Sequence, residues 1–172
     1  FRSGIGLRMQ GMLHATVRTN PGIGAGAKRL DAGAAEEMRG VKRVVPITNG
    51  FGVIADNTWR AFRAADAVEV EWAPGPFPAS SEEMWRVLED SHTEANLDSR
   101  MRDDGDVEAA LAGGEVIEAE YRTPYLAHAP MEPPNAVVLA TDDRLDIWTG
   151  TQIPGFLRDH AARLAGLDPE QV

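Results

Sequence analysis

Residues 73–78 read Ala-Pro-Gly-Pro-Phe-Pro, and no other stretch restricts the fold of this chain as strongly. Three prolines and a glycine in six positions remove backbone donors and fix φ, so neither a helix nor a central strand can pass through. Residues 73–78 are therefore the clearest break in the chain. With 172 residues, of which 43% are hydrophobic, it can form one domain or two small ones.

Before the break, Gly11–Thr19 reads as a strand with Leu13, Ala15 and Val17 on one face. A glycine-rich loop, Pro21 to Ala27, follows. Asp31 suits the N-cap of a short helix through Met38, and Gly40 suits the residue just past its end. Val41–Ile47 and Phe51–Ala55 read as strands joined through Thr48, Asn49 and Gly50, where the Asn-Gly pair signals a turn. Asp56 or Asn57 can cap a helix over Thr58–Ala67 with Trp59 and Phe62 on one face, and Val68–Trp72 alternates as a strand. The order strand, helix, strand, strand, helix, strand points to an α+β or α/β unit.

After the break, Ser80 and Glu83 have capping-box spacing for a helix to about Asp90, with Met84, Trp85 and Leu88 inward. Asp106 caps a short helix ending at Gly113 and Gly114, and Glu115–Thr123 alternates as a strand. Ala136–Ala140 and Leu145–Thr149 form a hairpin through Thr141, Asp142, Asp143 and Arg144. Pro154 and Gly166 bracket a helix whose apolar stripe is Phe156, Leu157, Ala161 and Leu164. Around the hairpin stand His128, Met131 and Glu132, among Pro130, Pro133 and Pro134, and then Gln152. A stiff loop, a hairpin and a polar residue at the strand exit can form a ligand wall.

Several function classes are disfavoured. A net charge of −10 opposes nucleic acid as a partner, since phosphate binding needs clustered cations. The absence of cysteine removes thiolate and iron–sulfur chemistry from this stretch and is compatible with either redox compartment. No apolar run approaches the ~18 residues of a membrane span. Gly22–Ala27 imitates a dinucleotide fingerprint after a strand, but no acidic residue closes the next strand region, Val44–Asn49, and Pro21 interrupts the turn. Asp103, Asp104 and Asp106 lack calcium-loop spacing, and His14, His92, His128 and His160 form no metal pattern. Taken alone, Glu132 can brace its loop by accepting amide hydrogen bonds. Gln152, which both donates and accepts, can face a cofactor oxygen or cap the following helix.

The segments PYLAHAPMEPPNAVV (124–138) and IWTGTQIPGFLRDHAARLAGLDPEQV (147–172) resemble the large subunit of molybdenum hydroxylases, the xanthine dehydrogenase and aldehyde oxidase superfamily. The likeness extends to the isoquinoline 1-oxidoreductase β-subunit type. GMLHATVRTNP (11–21), GVKRVV (40–45), GVIADNTWRAFRAADAVEVEW (52–72) and GDVEAALAGGEVIEAEYRTPY (105–125) follow in the family's order.

The resemblance implies an α+β chain. Residues 1–75 would be an α/β hammerhead domain, 76–114 a linker and helical connection, and 115–172 the start of a molybdopterin-binding domain. It implies hydroxylation of an N-heterocycle or aldehyde carbon with water-derived oxygen, a molybdopterin-type molybdenum cofactor, and an iron–sulfur small subunit as partner. Gln152 matches the family glutamine that hydrogen-bonds a molybdenum oxo ligand, and His128, Met131 and Glu132 match a loop with a structural role near the site. The family's glycine-rich GGGFG loop and its general-base glutamate have no counterpart in these residues. The expectation is therefore no catalytic or metal-ligating residue within this stretch, no cofactor held by it alone, and no turnover by it alone. A non-catalytic hammerhead-like scaffold or interaction module would present the same features, and a nucleotide-binding domain using Gly22–Ala27 is the other alternative.

Overall fold

The computed structural model describes residues 4–172, which fall into two compact units, Leu13–Leu126 and the residues up to Met12 together with Ala127–Val172.

The first unit is built on strands β1 (His14–Thr19), β2 (Ala27–Asp31), β3 (Val41–Ile47), β4 (Gly50–Ala55) and β5 (Glu69–Trp72). Helix α1 (Gly33–Glu36) lies between β2 and β3, and α2 (Thr58–Asp66) between β4 and β5. The strands form an antiparallel sheet of order β1-β4-β3 and a second antiparallel pair, β2-β5. β4 is central and buried almost throughout, so it tolerates the continuous apolar run Phe51–Ala55, whereas Pro46 is confined to the edge strand β3. Phe51 and Val53 meet Ala35, Val44, Ala64, Ala65 and Val68 in one core, and Phe51 stacks on Trp72 with centroids 6.3 Å apart. That stack joins the two sheets.

Several expectations are corrected here. Residues 27–31 form strand β2, so the glycine-rich loop leads into a strand rather than a helix, and the dinucleotide reading fails on that ground. Asp31 ends β2 and accepts from the Gly33 amide at 3.1 Å in a local turn, while Ala32 occupies the N-cap position without a side-chain bond. Strand β1 starts at His14, one residue after Leu13, and the face shared by Ala15 and Val17 is the outer one. Thr16 lies opposite Val53, and this register sends the even positions to the core face. There His14 meets the Thr58 hydroxyl at 3.0 Å and Arg18 meets Asp66 at 3.2 Å. On α2 the buried face is Ala61, Ala64 and Ala65, because small side chains let the helix approach the sheet closely. Trp59 and Phe62 lie to the sides, under the guanidinium groups of Arg63 and Arg18.

The cap and turn chemistry agrees with the sequence elsewhere. Asn57 accepts from the Arg60 amide at 2.9 Å, and Gly40 takes φ +87°. The proline-rich break is stitched to the β1 end by buried Asn20, whose amide donates to the Ala73 carbonyl at 2.8 Å while its oxygen accepts from Gly22. Beyond the break, α3 (Ser81–Ser91) starts at Ser80, whose hydroxyl accepts from the Glu83 amide at 3.2 Å, and α4 (Val107–Gly113) starts at Asp106. Residues 115–123 do not form a strand. Their alternation is real, but no neighbouring strand among the described residues satisfies their backbone groups.

The second unit holds the hairpin β6 (Ala136–Ala140) and β7 (Leu145–Thr149), helix α5 (Pro154–Ala165) and a 3₁₀ turn at Pro169–Gln171. Pro154 occupies the first turn of α5, and Gly166 ends it with φ +69°. The helix buries Ala162 and half-buries Leu157 and Ala161, while Phe156 and Leu164 stay exposed, so the expected stripe is shifted by part of a turn.

Candidate functional site

The candidate site is the end of the hairpin where β6 begins and β7 finishes. β6 and β7 run antiparallel with Ala136 opposite Thr149. Residues just before 136 and just after 149 therefore share that end. The loop carrying His128, Met131 and Glu132 enters there, and Gln152 leaves three residues after β7.

Proline supplies much of the loop's stiffness, and one residue adds strain. Ala129 adopts φ +41°, a left-handed conformation that a non-glycine residue avoids, between His128 and Pro130. His128 and Met131 are exposed and make no side-chain hydrogen bond among the described residues. Glu132 accepts from the side-chain amide of Asn135 at 3.0 Å, and the same amide nitrogen lies 2.9 Å from the Pro133 carbonyl. The partner of Glu132 is thus a side-chain amide in place of the backbone amides the sequence suggested. Across the hairpin, the Thr149 hydroxyl donates to the Asn135 carbonyl at 2.8 Å. Asn135 Oδ1 is buried and has no partner among the described residues.

At the other side of this end, the Thr151 hydroxyl accepts from the Ile153 amide at 3.2 Å, turning the chain into α5. Gln152 is exposed and makes no hydrogen bond among the described residues, so its carboxamide does not cap α5. A shallow cavity of about 340 Å³ lies beside it, lined by Ile147, Thr149, Thr151, Pro154, Leu157 and Arg158. Gln152 itself is not part of that lining.

The structure thus brings Glu132, Asn135 and Thr149 into one network and sets Gln152 at the same end of the hairpin with its amide unengaged. It does not bring His128 or Met131 into that network. Asn135 and Thr149 were not singled out from sequence. The signal for them was an Asn between a Pro-Pro pair and a strand start, with a Thr at the far strand's exit. No group of His, Cys, Asp and Glu able to hold a metal ion occurs among the described residues. At the hairpin's opposite end, Arg144 holds the Asp146 carboxyl below the usual carboxylate range through a side-chain hydrogen bond.

Comparisons with known proteins bear on this end of the chain. Residues 88–172 match the family of molybdopterin cofactor-binding domains. The chain is 27% identical over 175 residues to a nicotinate dehydrogenase subunit of Pseudomonas putida, covering 96% of this chain and 15% of that protein. It is 28% identical over 180 residues to the isoquinoline 1-oxidoreductase β-subunit of Brevundimonas diminuta, covering 98% of this chain and 23% of that one. Among solved structures, quinoline 2-oxidoreductase from Pseudomonas putida aligns over 99% of this chain and 27% of its own with a TM-score of 0.68 at 18% identity. The CO dehydrogenase from Oligotropha carboxidovorans aligns over 98% of this chain and 27% of its own, with a TM-score of 0.66 at 20% identity. At these identities the structural likeness shows the fold. The chain spans less than a quarter of the length of either curated relative.

Proposed function

We propose that this chain belongs to the xanthine dehydrogenase family of molybdenum oxidoreductases and supplies one wall of a molybdenum-cofactor site in a large subunit that hydroxylates an N-heterocycle or aldehyde carbon with oxygen from water. The observation that carries this reading is Gln152. Its carboxamide stands at a strand exit within the molybdopterin-domain match, and no protein group among the described residues uses it. A neutral amide can donate to an oxo group without adding a competing charge. The residues present fit such a group in chemistry: a free amide donor, a braced loop carrying Glu132, and no cysteine or histidine cluster offering rival ligation.

When bound, the molybdenum–pterin group would accept the electrons of the oxidation. The roles left to this chain are positional. Gln152 orients by donating its amide N–H. Glu132 and its neighbours hold the loop facing the same hairpin end, and the prolines keep that loop from relaxing. Residues 1–75 serve as a hammerhead domain, 76–114 as a connection and 115–172 as the start of the cofactor domain. Electrons leave to an iron–sulfur small subunit. On the family resemblance the general-base glutamate lies outside these 172 residues, so they do not turn substrate over alone.

Substitution Gln152→Ala in the molybdenum-loaded protein tests the assignment. Turnover should fall by about tenfold or more, as for other groups that orient a metal centre, with the melting temperature unchanged. Turnover equal to wild type would remove Gln152 from the site.

A further inference from the structure

Residues 132–135 and 149 form a connected set of hydrogen bonds that the proposed function does not by itself require. The Asn135 amide donates to Glu132 Oε1 at 3.0 Å and lies 2.9 Å from the Pro133 carbonyl. The Asn135 carbonyl accepts from the Thr149 hydroxyl at 2.8 Å. One residue therefore bridges the proline-rich loop and the last residue of β7, with its side chain serving the loop and its main chain serving the strand. Ala129, in the same loop, adopts φ +41°, a conformation that is costly for a residue with a Cβ. Three residues after Thr149 stands Gln152.

We infer that Asn135 is a positioning residue: it latches the Glu132 loop to the end of β7 and thereby sets where Gln152 leaves the hairpin. The inference rests on the reading of Gln152 as a cofactor-facing residue, but the latch itself can be tested without a cofactor.

Backbone amide NMR order parameters on the protein without cofactor read the latch directly. Two variants break it at different points. Asn135→Ala removes the loop link, and Thr149→Val removes the strand link while conserving shape. A latch makes the effects cross over. Asn135→Ala should lower the order parameters at Gly150, Thr151, Gln152 and Ile153 toward the flexible range, below about 0.6. Thr149→Val should do the same at Met131, Glu132 and Asn135. Effects confined to each variant's own side, or a uniform loss through the middle of β6 and β7, would overturn the inference. In the molybdenum-loaded protein, Asn135→Ala should also displace the molybdenum electron paramagnetic resonance signal in the direction that Gln152→Ala displaces it. A signal identical to wild type would overturn the positioning role. Absence of molybdenum from the wild-type protein would overturn the proposed function, and the order parameters would then decide the latch on their own.

Discussion

A methyl group on Gly50 would overlap the Arg18 carbonyl oxygen, because β4 passes β1 with no room for a Cβ at that position. Gly50→Ala is therefore expected to destabilise the first unit by about 3 kcal/mol, the upper range for overpacking, readable by urea denaturation. Phe51, 1% exposed and stacked on Trp72, should cost about 4 kcal/mol when truncated to Ala. The same denaturation measurement checks it, and a loss below about 1 kcal/mol would mean that the stack does not tie the sheets together. The turn at Thr48 to Gly50 was legible because Asn-Gly marks turns. The overlap at Gly50 was not, since it depends on which strand lies alongside. Gln152 shows the same limit in another form. Its position after a strand could be read, but a carboxamide suits a cap and a cofactor oxygen equally well, and the structure leaves the cap unmade. Asn135 and Thr149 were invisible for the reason Gly50 was: their roles come from cross-strand pairing.

At the scale of elements, caps and breakers were the most legible features. Ser80, Asp106 and Asn57 each accept from the amide three residues on, and Gly40 and Gly166 end their segments with positive φ. Asn57→Ala should destabilise α2 by about 1 kcal/mol, seen as a lowered denaturation midpoint. Buried faces were less legible. Helix α2 offers an alanine face and an aromatic face, and hydrophobicity alone favours Trp59 and Phe62, yet close packing on the sheet favours alanine. Strand β2 was missed because its sequence, Ala-Lys-Arg-Leu-Asp, carries three charges and is strand only through pairing with β5. The expected strand at 115–123 is the converse, a good pattern without a partner. The β6–β7 hairpin was read correctly at both boundaries, and its turn carries a pH dependence. Arg144 lowers the Asp146 carboxyl in the folded chain, so its contribution is present above the ordinary carboxylate pKa and is lost as pH falls through the depressed folded value. Arg144→Ala should return the Asp146 titration toward the ordinary range, as NMR would record. An unmoved titration would show that the pair does not persist in solution.

At the scale of the whole molecule, the two units have different characters. Leu13–Leu126 holds the Phe51 core, while the unit containing the hairpin has few buried side chains, Ala162 being its one buried apolar residue among those described. Leu13, Val17 and Ile47 are exposed on the outer face of the β1-β4-β3 sheet. The α+β class and most elements were legible from period and punctuation, whereas the chemistry was legible only through motif order, because no metal-binding cluster lies in the described residues to announce it. On the proposed function, the hairpin end bearing Gln152 belongs to a molybdenum-cofactor site. The molybdenum and pterin content of the protein carrying these residues, purified from its native host, tests this. About one molybdenum and one pterin equivalent per chain is expected, as for a single metal centre held by one cofactor domain. A folded protein that contains neither would contradict it.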